Sequence, residues 1–572
     1  MAGRTARSLD TDSDDSSDPD FAPLTESESE DSFSSEEDSS SSDDELHSTS
    51  STSDLSAAAT SRKRARRDDT QWDTGDFSPS LFTFDDSQSG QVAASLLPPE
   101  ASELDYFQLF FDEELVSLIV TETNKYGNDK AGACHSGASR LRAWAVVDLP
   151  ELYCFLAIVL LMGLVRKNTL RDYWSTDPML VTPFFREIFS VNRFALLLRV
   201  LHFSSITEQS DRLRAIRPIM EAIQEKFDRF FLPYQDLCID ESLMPWRGRL
   251  SFRQYIPSKR HRFGVKMFMM CDVKTGYVLR FLVYTGATVS LAKRKELGYA
   301  GAVVADLLAD FLGKGHSLFV DNWYTSPVLF EFLHSNNTNA CGTVRINRKG
   351  LPSFKKKLKK GETQSFHTNT LLALKWCDKR EVTMLTTMHG PEMQESDKVD
   401  RATGEKKKKP ACVLEYTKKM GLVDRVDMQL SFSESIRKTL KWNKKFFFHL
   451  LDMTLLNAFI LYRERTGTPV KLAVFRKKVA TQILEKYQTE IQRPRRGRRT
   501  TDNPLRLTAR HFPERVPQTS AQGSRTQRRC HVCANTTRRT KRRADTRFMC
   551  AVCDKALCVE PCFKEYHTLK FY

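Results

Sequence analysis

The chain has 572 residues, 40% of them hydrophobic and 10% aromatic, which is enough for several buried cores and excludes a wholly unfolded polymer. Its charge of +15 is unevenly spread: residues 1–60 carry 17 Asp or Glu against two Arg, and that net −15 leaves +30 for residues 61–572. A body that basic favours a polyanion as partner, because Lys and Arg gain affinity by releasing counterions from phosphates, with a merely soluble basic protein as the alternative.

The acidic start has no apolar run of the kind a secretory signal needs, so the expectation is an intracellular chain with reduced cysteines. Residues 1–103 are too rich in Ser, Asp and Glu to offset the entropy of ordering and read as a disordered arm. Within it, Arg62-Lys63-Arg64-Ala65-Arg66-Arg67 is a basic block of the nuclear-import kind, so the nucleus is the expected compartment, against the alternative of a chance charge run. A second basic tract, Arg493 to Arg499, could serve the same purpose or bind DNA.

From residue 104 to 235 the apolar spacing is helical, as in Glu151–Val165 and Val191–Phe203. The apolar stretch Leu152 to Val165 falls short of the roughly 20 residues that cross a bilayer, so no membrane partner is expected. After Pro233 the pattern changes to β: Leu237–Asp240, Lys266–Asp272 and Tyr277–Tyr284 read as three antiparallel strands. A helix (Gly301–Gly313), a strand ending at Asp321, a helix (Ser326–His334) and a strand (Ala340–Ile346) complete a mixed α/β layer over 236–347.

Residues 348–413, with basic runs at Lys355–Lys357 and Lys406–Lys409, read as an inserted subdomain or long loop. Residues 414–436 return to the layer as a helix carrying Asp424 and Asp427. Helices over 437–492 follow, then a Pro- and Arg-rich linker at 493–528 and a Cys-rich segment at 529–572.

Three acids occupy related places: Asp240 at the end of the first strand, Asp321 at the end of the fourth, Asp424 on the returning helix. In a ribonuclease H-like layer the first and fourth strands are neighbours, so these carboxylates would meet. Hard divalent cations favour such oxygens, and two ions about 3.5–4 Å apart can activate an attacking oxygen and stabilise the leaving one. Asp427 shares the helical face of Asp424. Taken singly, an Asp at a strand end is more often a cap or turn residue, and it is the joint placement that points to a metal site.

The segments Ile239-Asp240-Glu241-Ser242, Trp246-Arg247-Gly248-Arg249, Val320-Asp321-Asn322-Trp323-Tyr324-Thr325-Ser326, Cys341-Gly342-Thr343 and Met420-Gly421-Leu422-Val423-Asp424-Arg425-Val426-Asp427 resemble the piggyBac transposase family. The resemblance runs from about Tyr106 to the Cys-rich end, departing at Leu422, where a second Gly is usual, and at Met428, where Gln is common. It implies a ribonuclease H-like catalytic core with an insertion, embedded in an α-helical dimerisation and DNA-binding domain. It also implies cut-and-paste transposition: Asp240, Asp321 and Asp424 hold two Mg²⁺, with Mn²⁺ able to substitute, and Asp427 is required too. Water cleaves at the element's end, the freed 3′-hydroxyl forms a hairpin on double-stranded DNA, and the element joins a TTAA target. A homodimer is implied, and Asn322, Arg345, Arg348 and Lys349 are expected DNA contacts, against the alternative of a solvated basic loop. The rival reading is a domesticated nuclear DNA-binding protein that keeps the fold without strand transfer.

Six of the 13 cysteines crowd into the last 43 residues. Cys530-x₂-Cys533 and Cys550-x₂-Cys553, followed by Cys558, Cys562 and His567, have zinc-ligand spacing, since each close pair grips one tetrahedral ion. Two Zn²⁺ need one more ligand, with His531, Asp554 or water as candidates. The interleaving resembles a cross-braced RING or PHD finger. In the piggyBac family such a module binds transposon ends, and the competing roles are a chromatin-peptide reader or a ubiquitin-ligase module.

Overall fold

The computed structural model describes residues 71–488 and 511–572, apart from 92–96, 135–138, 209, 258, 260, 287–290, 356, 400–403, 405, 437–438, 440, 519–522, 524–525 and 570. The basic blocks at 62–67 and 493–499 and the acidic tract before residue 71 lie outside the described residues. The chain divides into two compact units, 1–491 and 492–572.

The first unit opens with helices α1 (Glu103–Gln108), α2 (Glu113–Gly132), α3 (Leu149–Met162), α4 (Val191–Val200) and α5 (Arg217–Phe230). Helix α3 starts where Asp148 accepts the Glu151 N–H at 2.8 Å, and its residues from Leu152 to Leu160 are all buried. Each such Leu or Ile contributes about 1.5–3 kcal/mol by leaving water.

Strands β1 (Asp236–Pro245), β2 (Phe263–Asp272) and β3 (Val278–Val283) form an antiparallel meander. Helix α6 (Arg294–Leu307) leads to β4 (Ser317–Val320), and α7 (Pro327–Ser335) to β5 (Asn339–Thr343). β4 runs parallel to β1 on one side and to β5 on the other, so the order from the edge is β3-β2-β1-β4-β5.

The expected inserted subdomain or loop is instead a continuation of this sheet. β6 (Thr363–His367), β7 (Leu372–Cys377) and β8 (Glu381–Thr386) extend it, with β8 antiparallel to β5, and the short strand Gln254–Tyr255 paired with β2 brings the sheet to nine strands. The lysine runs mask the pattern in composition, but Leu372, Ala373, Leu374, Met384 and Leu385 are fully buried. β9 (Met393–Val399) and β10 (Lys406–Pro410) pair as a separate hairpin.

Two helices, α8 (Ala411–Lys419) and α9 (Leu422–Phe432), follow where one was expected. The unit ends with α10 (Trp442–Thr466) and α11 (Leu472–Tyr487), which pack back on the opening helices. Tyr153 stacks on Tyr487 at 4.4 Å between ring centroids and Phe203 on Phe447 at 4.5 Å, so helices from both ends of the sequence share one core. α10 is the one described helix long and apolar enough to cross a membrane, and 89% of its apolar stretch is buried inside the protein.

The disordered arm was expected to reach residue 103, but residues 71–91 are laid along the rest of the first unit. The Trp72 indole donates to the Gly350 carbonyl at 2.9 Å, Asp73 bridges His367, Phe77 is buried, and Gly90–Gln91 pair with Phe231–Leu232. Aromatic residues at 72, 77, 82 and 84, unusual in an acidic tract, are the signal that composition averaged over the arm conceals.

Candidate active site and metal centres

Asp240 sits in mid-strand, since β1 continues to Pro245, and not at the strand end expected. Side chains alternate along a strand, so Cys238, Asp240 and Ser242 share one face. On that face Cys238 Sγ donates to the Met420 carbonyl at 3.1 Å and Ser242 Oγ to Asp427 Oδ1 at 2.6 Å, docking the start of α9 against β1. Asp321 follows β4 directly, beside β1, and α9 brings Asp424 and Asp427 in its first two turns.

The turn after Asp321 is closed locally. Asp321 Oδ1 accepts the Trp323 N–H at 2.8 Å, and the Asp321 carbonyl accepts the Thr325 hydroxyl at 2.8 Å. Ser326 then caps α7 by accepting the Leu329 N–H. Gly342 on β5 has to be glycine, because a Cβ there would stand 2.3 Å from Thr325 Oγ1 and 2.6 Å from the Val320 carbonyl. This close approach gives the Cys341-Gly342-Thr343 motif its physical meaning.

The carboxylates act on one another. Burial, with the charges of Asp321 and Asp424, pushes Asp240 up to about 7. Burial pushes Asp427 up to about 6, with Asp424 adding to the rise and Ser242 and Lys259 opposing it. Asp321 is also raised, chiefly by burial and then by Glu241. Asp424 stands at the rim with its side chain 65% exposed.

Sequence reasoning missed Lys259, which bonds Asp424 Oδ1 at 2.7 Å and the Glu241 carbonyl at 2.9 Å and lies 3.9 Å from Asp427 Oδ2. It also missed Ser242 and the Glu241–Lys266 pair at 2.6 Å. A lysine within Lys259-Arg260-His261-Arg262 carries no mark in sequence of where its loop folds.

Of the expected DNA contacts, Arg345 Nε donates to Asn322 Oδ1 at 3.2 Å, and Arg348 Nη2 donates to the carbonyls of Asn322 and Trp323 at 2.5 and 3.1 Å. Arg348 thus braces the backbone of the Asp321 turn, while Arg345 and Lys349 are exposed beside it.

A hard divalent cation fits the acid site by its donors: the groups are carboxylates, three of them, Asp240, Asp321 and Asp427, lifted by burial, and an ammonium already lies on Asp424 and Asp427. The four acids are nonetheless an open set. Among the described residues, groups of three or more His, Cys, Asp or Glu with all ligand atoms within 4.8 Å of one another occur twice, both in the second unit.

One of those groups is Cys530, Cys533, Cys558 and Cys562, and the other is His511, Cys550, Cys553 and His567. The eighth position is thus filled by His511, from the stretch read as linker, and not by His531, Asp554 or water. His511 Nδ1 lies 3.3 Å from Cys550 Sγ and 3.4 Å from Cys553 Sγ, and His567 Nε2 lies 3.6 Å from Cys553 Sγ. His531 bonds the Tyr572 hydroxyl at 2.9 Å, and Asp554 pairs with Arg528. Cys533 and Cys562 sulfurs stand 3.5 Å apart, near the roughly 3.8 Å edge of a tetrahedron with Zn–S bonds of about 2.3 Å. The two sets interleave along the chain, and their fit to Zn²⁺ rests on this soft Cys/His donor set.

Arg529, Arg538, Lys541, Arg542 and Arg543 are exposed around this module. Arg539 pairs with Glu565 at 2.9 Å and reaches Cys562 Sγ at 3.1 Å.

The profile of the family described as Transposase IS4 matches residues 102–459, and that of the DDE_Tnp_1-like zinc finger matches residues 513–568. PiggyBac transposable element-derived protein 3 of Homo sapiens is 28% identical over 484 residues, covering 81% of this chain and 75% of that protein. PiggyBac transposable element-derived protein 2 of Homo sapiens is 26% identical, covering 75% and 72%. A cryo-EM structure of a piggyBac transposase synaptic complex with hairpin DNA shares the fold at a TM-score of 0.65 and 23% identity, covering 83% of this chain and 100% of that one.

Proposed function

The chain belongs to the piggyBac-type transposase family, and from that premise we propose that it is a Mg²⁺-dependent cut-and-paste DNA transposase acting at Asp240, Asp321, Asp424 and Asp427. We read β3-β2-β1-β4-β5 as a ribonuclease H-like core and the flanking helices as one dimerisation and DNA-binding domain. One observation carries the reading: β1 and β4 pair at Ile239 and Val320, so Asp240 and Asp321 leave adjacent strands, and the charges of Asp321 and of Asp424 on α9 both raise the proton affinity of Asp240. Carboxylates held in that way are poor anions until a cation neutralises them. Two Mg²⁺ there would activate the attacking oxygen and stabilise the leaving one.

The chain's own residues supply the rest. Asp240 and Asp321 come from adjacent parallel strands and α9 sets Asp424 and Asp427 against them, so the donors are positioned before DNA arrives. Arg345, Arg348 and Lys349 place basic groups, and Asn322 an amide, at the turn after Asp321, where a phosphate backbone would run. Water opens the strand at the element's end, and the freed 3′-hydroxyl attacks the opposite strand to give a hairpin. After reopening, the same kind of hydroxyl joins a TTAA target. The cross-braced module with two Zn²⁺ and its arginine rim would hold the terminal repeats. The nucleus is the compartment where this reaction has its substrate, and a homodimer would hold both ends of an element.

The test is excision of a TTAA-flanked donor from a plasmid in cells. Repaired donor with the unmodified chain, and none with Asp321→Asn at equal DNA binding, supports the enzyme. DNA binding without excision by the unmodified chain would instead identify a domesticated DNA-binding protein.

A further inference from the structure

The hairpin between Gln254–Tyr255 and the start of β2 reaches α9 through Lys259, whose side chain enters the acid site. Its loop is shut by the Ile256 N–H bonding the Arg262 carbonyl at 2.8 Å, and the Lys259 N–H turns back to the Ile256 carbonyl at 3.3 Å. The Lys259 ammonium then has three oxygens around it: Asp424 Oδ1 at 2.7 Å, the Glu241 carbonyl at 2.9 Å and Asp427 Oδ2 at 3.9 Å. These come from α9 and from the residue next to Asp240 on β1. The lysine side chain is only 19% exposed, so its positive charge is spent on these partners and not on solvent.

We propose that Lys259 is a resident counter-cation of the acid site: it holds Asp424 and Asp427 in place without metal and is displaced from them when a divalent ion binds. This rests on the transposase reading of the acids and deepens it. The physical reason is exclusion of charge. An oxygen of Asp424 cannot serve an ammonium at hydrogen-bond distance and a divalent ion together without placing two cations within about 4 Å, where they repel. Lys259 is accordingly a positioning residue that competes with the metal, and its tethered loop keeps the released ammonium close to the DNA phosphate that the metal would bind. Arg348 and Lys266 serve the Asp321 turn and Glu241.

The test titrates full-length protein with Mn²⁺ in a calorimeter, without DNA, for the unmodified chain and for Lys259→Met, Lys259→Arg and Asp424→Asn. Lys259→Met is expected to bind Mn²⁺ about tenfold more tightly, since one competing unit charge at contact distance is gone. Lys259→Arg is expected to stay near the unmodified value. Equal affinity in the unmodified chain and Lys259→Met, with binding lost in Asp424→Asn, overturns the proposal and leaves the metal reading standing. Binding indifferent to Asp424→Asn overturns both.

A second readout needs no Lys259 variant and so does not depend on its folding. Acylation of Lys259 in the unmodified chain, followed by peptide mass spectrometry, is expected to rise severalfold on adding Mg²⁺ and to be insensitive to Mg²⁺ in Asp424→Asn. Labelling that Mg²⁺ leaves unchanged in the unmodified chain overturns the proposal.

Discussion

Ser242 on β1 donates its hydroxyl to Asp427 on α9 at 2.6 Å, joining strand and helix 185 positions apart in sequence. Ser242 is fully buried, so the bond is shielded from water and sets the distance between Asp240 and the two helix acids. Ser242→Ala is expected to cost about 1–3 kcal/mol, the penalty for a buried polar group deprived of its partner. It should lower excision more than DNA binding. Urea unfolding and the plasmid assay together check this, and an unchanged excision level would show that α9 is placed by packing alone.

The raised carboxyl groups predict a pH dependence with a definite sign. Asp240 near 7 and Asp427 near 6 hold protons more tightly folded than unfolded. Their contribution to stability is therefore complete below about pH 4 and is lost as pH rises through 6 to 7. Metal-free protein should lose stability over that window, and Mg²⁺ should restore more of it at pH 8 than at pH 5.5. Thermal melts of the unmodified chain and Asp240→Asn, with and without Mg²⁺, are the measurement. A pH slope that survives in Asp240→Asn with undiminished size would contradict the assignment.

His511 gives the second Cys/His group its fourth ligand. Bound zinc measured by mass spectrometry is expected to be two per chain, and about one in His511→Ala. A module of this size, whose buried cluster is half cysteine, is expected to fold only with its metal. Strong chelation should therefore abolish the native signals of residues 511–572 and leave the melting of the first unit in place. Unchanged zinc content in His511→Ala would return the position to water or to another side chain.

The segment from Trp72 to Gln91 bonds Gly350, His367 and the Phe231–Leu232 strand. Removal of residues 1–70 is expected to leave the melting temperature nearly unchanged. Removal of residues 1–91 exposes the surface that Phe77 covers and should lower it by several degrees, as a loss of about 2–4 kcal/mol implies for a unit this large. Equal melting of the two truncations would mean that the segment adds nothing to the fold.

Part of the site was legible because Asp321, Asp424 and Asp427 sit in short motifs with a clear local pattern, whereas Asp240 was expected at a strand end and lies in mid-strand. Val320-Asp321 marks a strand end by its apolar run, and Asp424 with Asp427 shows helical spacing. The extension of the sheet through β6, β7 and β8 was not legible, since lysines flank those strands and their burial depends on β5 being there to pair with. Lys259 was invisible for a similar reason: nothing local aims it at an acid, and only the hairpin's approach to α9 does so.

The sequence alone determined the periodicities that make the helices and strands, the spacing of the cysteine pairs, the motif acids and the separation of an acidic start from a basic body. These are local properties, readable from residues a few positions apart. The tertiary structure decided which distant groups share an environment: Ser242 with Asp427, Lys259 with Asp424, and His511 with Cys550, Cys553 and His567. Burial and charge act through space, so the proton affinity of Asp240 and the fourth ligand of a metal site belong to the folded chain.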